Sequence, residues 1–245
     1  MIQNLIEKWD GSSWTIFPSP NTNTAQANVL ESVACTSSYD CWAVGYYNNG
    51  TTNQTLVEHY TAPTPLALVS AASRKTHGSA GAFDIDLPFS SNLPVPPPGI
   101  ECRAGSGTGG DHTLVFTFNN VPVSGTASVV SGNGNVAGEP VFAGHTMSVN
   151  LTGVTNAQVI GLTLNVTDSF GQPFVNPEGI PVYMGLLVGD VNANGVVSNT
   201  DVASVKGQVA APVDASNFRT DVTANGVISN TDVSATKGQV GTSLP

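Results

Sequence analysis

Two stretches near the C-terminus carry the same thirteen-residue frame, and that frame restricts the chain more than any bulk property does. Asp190-Val191-Asn192-Ala193-Asn194-Gly195-Val196-Val197-Ser198-Asn199-Thr200-Asp201-Val202 returns thirty-one positions later as Asp221-Val222-Thr223-Ala224-Asn225-Gly226-Val227-Ile228-Ser229-Asn230-Thr231-Asp232-Val233. Each copy places an oxygen-bearing side chain at its first, third, fifth, ninth and twelfth positions, with Gly195 or Gly226 at the sixth. A hard cation such as calcium must be wrapped by oxygen donors from several directions, and a glycine at that position permits the sharp turn that brings them round. The expected donors are Asp190, Asn192, Asn194, Ser198 and Asp201 in the first copy, and Asp221, Thr223, Asn225, Ser229 and Asp232 in the second. Val196 and Val227 would add main-chain carbonyls, Ser198 and Ser229 would act directly or through water, and Asp201 and Asp232 would each bind through both oxygens. Two Ca2+ ions are the expected complement. The alternative, a pair of metal-free Asx-rich turns, would have to arise twice in one register.

Val202, Val205 and Val209 fall on one helical face after the first loop, as do Val233 and Val240 after the second. A strand-like run, not a helix, precedes the first loop, and it should form one unit with that loop. An ordinary EF-hand has helices on both sides. The duplicated loop-plus-helix over about 190 to 240 therefore resembles a type I dockerin domain. That resemblance implies a calcium-dependent plug that inserts into a cohesin partner in polysaccharide-degrading complexes. In the family the partner is recognised at positions held here by Asn199-Thr200, Lys206-Gly207, Asn230-Thr231 and Lys237-Gly238. The family often has Lys-Arg where this chain has Lys-Gly. Its usual Asp at the fifth loop position is Asn194 or Asn225 here, and Thr223 replaces Asn at the third. Each loop thus carries two carboxylates, and the expected affinity is weak, about 10⁻⁵ to 10⁻³ M, adequate outside cells.

The N-terminal segment, residues 1–61, contains a second, looser repeat: Asn4-Leu5-Ile6-Glu7-Lys8-Trp9 recurs in type as Thr55-Leu56-Val57-Glu58-His59-Tyr60. Trp14–Phe17, Leu30–Cys35 and Cys41–Tyr47 read as strands between the copies, with Asp10-Gly11 and Asn49-Gly50 as turn signals. Trp9-Asp10-Gly11-Ser12-Ser13-Trp14, Pro18-Ser19-Pro20 and the Cys35 to Gly45 run resemble one unit of a bacterial propeller-like surface repeat. A single blade cannot bury both faces, so the segment should lean on another domain or chain, or be loosely held. Cys35 and Cys41 are expected to close a small disulfide loop, two free buried thiols being the alternative. Packing within the blade is the expected role of Trp9, Trp14 and Trp42, against stacking on sugars. Met1 to Lys8 lacks the basic start and apolar core of a secretory signal. Since the rest reads as secreted, the expectation is a processed or truncated start.

Thr61-Ala62-Pro63-Thr64-Pro65 reads as a stiff linker. Within residues 62–187, alternating runs at 82–87, 113–118, 127–130, 146–151, 159–166 and 182–187 suit an Ig-like antiparallel β-sandwich of seven or so strands. Pro94 to Pro98 is a proline-rich loop that no central strand could contain. Cys102 reads as a small buried hydrophobe. Asp84 and Asp86 share a strand face as glycosidase carboxylates do, but a solvated face is the simpler meaning. Asp111-His112, beside glycines, reads as a loop-end pair. None of the four histidines has zinc-site spacing.

The expected class is mainly β, with a small α dockerin-like domain at 188–245. Seven Lys and Arg against a net charge of -10 argue against nucleic acid, and no apolar run is long enough to span a bilayer. The function expected is that of an extracellular or cell-surface, non-catalytic calcium-binding module that docks a cohesin-like protein or a neighbouring subunit. A homo-oligomeric filament or surface layer is one alternative; an accessory fragment of a secreted glycoside hydrolase is another. Carbohydrate is a further conceivable ligand.

Overall fold

The structure, a computed structural model, describes residues 3–9, 13–17, 19–22, 26–37, 40–61, 64–89, 99–105, 111–169, 171, 173–174 and 182–245. The expected Asp10-Gly11 turn, the Pro94–Pro98 loop, Pro18 and the Ala62-Pro63 part of the linker lie outside these residues. The chain divides into two compact units, Met1–Thr64 and Pro65–Pro245.

In the first unit β1 (Ile6–Trp9) pairs antiparallel with β2 (Trp14–Phe17), while β3 (Asn28–Ser37), β4 (Asp40–Asn48) and β5 (Asn53–Thr61) form a separate antiparallel meander. Gly50, at φ 103°, turns the chain from β4 to β5, and the Asn49 carboxamide accepts from Thr51 and Thr52 N–H to close the turn. Cys35 and Cys41 stand opposite one another on β3 and β4 and are disulfide-bonded. The two related runs, now β1 and β5, lie in different sheets, and a single four-stranded blade is not what the described strands make. Glu58 links them, its carboxylate accepting from the Asn4 amide and the Ser19 hydroxyl. The core is thin: among the described residues of this unit only Asn28, Ala43 and Leu56 are buried, while Trp9, Trp14, Ile16 and Val33 are exposed.

The second unit opens with two sheets that share one core. The first sheet runs β11 (Asn135–Val136), β13 (Thr146–Thr152), β9 (His112–Phe118), β6 (Leu68–Thr76), β7 (Ala82–Asp86), with β12 (Val141–Ala143) also on β13. The second runs β10 (Pro122–Ser131), β14 (Gln158–Asp168), β15 (Val182–Leu186), β8 (Gly99–Glu101). Alternation sends Leu114, Phe116, Phe118, Met147 and Val149 inward from one sheet, to meet Ile160, Leu162, Val166 and Met184 from the other. Each such side chain contributes about 1.5–3 kcal/mol by leaving water. Among the described residues the arrangement has ten strands and is not wholly antiparallel: β8 runs parallel to β15. A parallel pair needs a long connection, and here the six strands β9 to β14 intervene. On the outer face of β7, Asp84 pairs with Arg74 at 2.7 Å and Asp86 is exposed.

One end of this core is polar. Ser73, Lys75 and His77 from β6 and its end, Glu101, Arg103 and His112 are all buried there. The chain then leaves β15 and stays beside β8, with Leu187 N–H on Glu101 O and Gly189 N–H on Cys102 O. Two helices follow, α1 (Asn199–Gln208) and α2 (Asn230–Lys237). Val205 and Val233 are buried, but Val209 and Val240 lie past the helix ends and are 37% and 42% exposed, so the expected apolar stripes are shorter than their spacing suggests. A second small core joins Ile85 and Cys102 of the two-sheet body to Val191, Val205, Val222, Ile228 and Val233. Among the described residues no helix is long and apolar enough to cross a membrane.

Candidate metal centre

The two loops have the same internal wiring. In the first, Asp190 Oδ1 accepts from Asn194 N–H at 3.1 Å and Oδ2 from Gly195 N–H at 2.8 Å. Asp201 Oδ2 accepts from Ser198 N–H at 3.0 Å and Oδ1 from Asn192 N–H at 3.4 Å. In the second, Asp221 Oδ1 accepts from Asn225 N–H at 3.2 Å and Oδ2 from Gly226 N–H at 2.7 Å. Asp232 accepts from Ser229 and Thr223 N–H, each at 2.9 Å. The fifth-position amides bend back as well: Asn194 Oδ1 and Asn225 Oδ1 accept from Val196 and Val227 N–H, each at 2.9 Å.

Backbone conformation permits this curl. Gly195 and Gly226 sit at φ 84° and 90°, the left-handed region that glycine enters without steric cost. Each loop runs straight into its helix through a capping box. Ser198 and Ser229 are the N-caps, and Asp201 and Asp232, three residues on, return a carboxylate to the cap N–H. The twelfth-position acid is thereby fixed in rotamer by the helix it opens, although it is written as a ligand of the loop before it.

All four aspartates are fully buried, while Asn192, Asn194 and Asn225 are exposed and Thr223 Oγ1 donates to Asp232 Oδ1. Burial, with the Asp201 charge adding to it, pushes the Asp190 carboxyl up against the pull of its loop amides. Burial also pushes Asp221 up, but a hydrogen bond from His77 and the loop amides bring it below its ordinary value. Two acids in each loop, with amide, hydroxyl and carbonyl oxygens beside them, form a hard, negative donor set, and calcium fits it better than zinc or copper does. Among the described residues no group of three His, Cys, Asp or Glu side chains is placed to hold a metal ion, and each loop offers two carboxylates.

Several contacts of the loops have no signal in their motif. The C-terminal tail pairs with the first loop, through Val197 N–H to Thr242 O and Leu244 N–H to Gly195 O. Ile228 of the second loop accepts from Ala210 N–H instead. Arg219 donates to the carbonyls of Asp190, Val191 and Ile100, tying both loops to β8. Cys102 is fully buried, its thiol pushed up to about 12 by burial. Only the scarcity of basic residues marks Arg219 in the sequence as worth notice.

Residues 188–240 match the family model of the dockerin type I domain. The match spans both loops and both helices and none of the strands. No curated protein and no solved structure matches the chain.

Proposed function

We propose that this chain is a non-catalytic, extracellular docking module whose C-terminal helices are organised by two calcium ions and present a surface to a cohesin-like partner. The observation that carries this reading is the duplicated wiring of Asp190 with Asp201 and Asp221 with Asp232 inside a segment that matches a docking family. Asn192, Asn194, Val196 and Ser198, with Thr223, Asn225, Val227 and Ser229, complete the two donor sets. Asn199, Thr200, Lys206, Asn230, Thr231 and Lys237 are all exposed, so the partner-facing positions are left open while Val205, Val233 and Thr236 face inward. A disulfide at Cys35–Cys41 and loops suited to weak binding both favour an oxidising, calcium-rich setting.

Calorimetric titration of calcium chloride into chelator-treated full-length protein tests it. Two binding events are expected, one lost in Asp190→Ala and the other in Asp221→Ala. A ligand at about 100 times its Kd stabilises by about 2.7 kcal/mol, which for a unit of this size raises Tm by about 5–10 °C. No heat and no shift in Tm would return the loops to metal-free turns.

A second reading, self-assembly, is favoured by the apolar surface of the first unit, where Trp14, Ile16 and Val33 are 65%, 67% and 67% exposed. Light scattering at rising concentration separates the two: a monomer throughout, with and without calcium, excludes assembly.

A further inference from the structure

The two loops are wired alike inside, yet what touches their first aspartate differs. Asp190 takes hydrogen bonds to its carboxylate from its own loop amides. Asp221 Oδ2 takes in addition a hydrogen bond from His77 Nδ1 at 2.8 Å, with both side chains wholly buried. His77 directly follows β6, a hundred and more residues earlier in the chain.

The imidazole is itself held. Its Nε2 lies 3.1 Å from Arg103 Nη1. A guanidinium can only donate, so Nε2 accepts, the ring proton sits on Nδ1, and Nδ1 donates to Asp221. Arg103 is fixed in turn by Glu101, at 2.8 and 2.7 Å, and by the carbonyls of Phe83 and Ser73. Phe218, just before the second loop, stacks on Phe83 at 5.2 Å and meets the His77 ring edge-on at 6.1 Å. The backbones close the contact: a Cβ on Gly78 would stand 2.4 Å from Asn225 O, and one on Gly226 would stand 2.7 Å from His77 O. There is room for hydrogen at both places and for nothing larger.

We propose that His77, seated by Arg103 and Glu101, is a positioning residue for the Asp221 carboxylate, so that the two-sheet body acts as a built-in partner that pre-forms the second calcium loop. This inference rests on the loops being calcium sites. The two sites are then unequal. The second is organised before the ion arrives and binds it more tightly; in the first, the tail and Arg219 hold the backbone but the Asp190 carboxylate has no such brace, and it binds more weakly. The rigidity that calcium brings to the helices is transmitted to the two-sheet body at the second loop. A partner of a metal ligand that is lost typically weakens metal binding by about 10–100-fold.

The test is calcium titration of the full chain, with hydrogen exchange in chelator as a readout that does not need the ion. Two unequal affinities are expected, the tighter one abolished by Asp221→Ala. His77→Leu should weaken the tighter site by about tenfold or more and leave the other unchanged. His77→Asn, whose amide can replace the Nδ1 donor, should restore most of it, which a purely space-filling role for the ring would not predict. In chelator, the amides of Asn225 and Gly226 should exchange more slowly than those of Asn194 and Gly195, and Gly78→Ala should remove that difference. Equal affinities, equal weakening of both sites by His77→Leu, failure of His77→Asn to rescue, or equal exchange of the two loops would each overturn the proposal while leaving the calcium reading intact. Absence of calcium binding by the wild-type chain overturns both, and slow exchange in the second loop then marks a purely structural contact.

Discussion

His112 stands on the inward face of β9 in line with Leu114 and Phe116, 2% exposed, and neither ring nitrogen has a hydrogen-bond partner among the described residues. Burial, with the Lys75 charge adding to it, lowers its pKa from 6.5 to about 4. In the unfolded chain the ring takes up its proton near 6.5, so between 6.5 and about 4 the unfolded state binds more protons and stability falls with falling pH. At about 1.4 kcal/mol per pH unit, that limb costs about 3 kcal/mol in all. Glu101 adds a later stage. Burial pushes it up, but Arg103 wins and holds it at about 2, so its contribution is present above about 4.5 and lost toward 2. His112→Leu keeps the volume and removes two unsatisfied nitrogens, whose burial costs about 1–3 kcal/mol. Scanning calorimetry should show Tm raised by several degrees at pH 7 and a flatter response between pH 6.5 and 4. A lower Tm at pH 7 would mean the ring is doing structural work through its nitrogens. The sequence reads Asp111-His112 as a loop end because glycines precede it; a histidine in a core leaves no local mark that distinguishes it from one in a loop.

At the scale of elements, runs that alternate apolar and polar residues were legible: β7, β9, β10, β13, β14 and β15 fall where the pattern puts them. β6 was not, and its composition explains why. Its inward positions include Ser73 and Lys75, with His77 just beyond, so the strand that meets the polar end of the core has no hydrophobic stripe to read. β8 is three residues long and is recognisable only by the partner it finds in β15. The loops were the most legible part, since their frame recurs in one register and is set by local hydrogen bonds and not by distant packing. Where α1 ends was less so. After the cap at Val209 the chain reverses at Ala210, which is held at φ 67° and donates to Ile228 O. An alanine in the left-handed region is strained where glycine is not. Relief of about 1–2 kcal/mol of left-handed strain, less the chain entropy that glycine adds to the unfolded state, should leave Ala210→Gly stabilising by about 0.5–1 kcal/mol, seen as about 1–4 °C in Tm; a decrease would mean that the lost methyl packs usefully.

At the scale of the whole molecule, the composition of the chain changes near residue 188, but packing does not. Residues 65–245 form one compact unit, because Ile85 and Cys102 complete a core with Val191, Val205 and Val222, and because Arg219 and His77 bridge the same seam. Such contacts join residues more than a hundred apart, and nothing local to either partner announces them. The division that packing does make falls near residue 64, and it gives the two units different probes. All three tryptophans, Trp9, Trp14 and Trp42, lie in Met1–Thr64, as does the Cys35–Cys41 disulfide. Both loops proposed to bind calcium lie in Pro65–Pro245. Tryptophan fluorescence should therefore follow the unfolding of the first unit alone, while calorimetry is dominated by the second, which holds nearly all of the buried apolar side chains. A thiol reductant should lower the fluorescence transition and leave the main calorimetric peak in place. A chelator should do the reverse, lowering the main peak by about 5–10 °C for each ion held at about 100 times its Kd. If both reagents moved both transitions together, the two cores would be energetically one, and the thin first unit would owe its stability to the second.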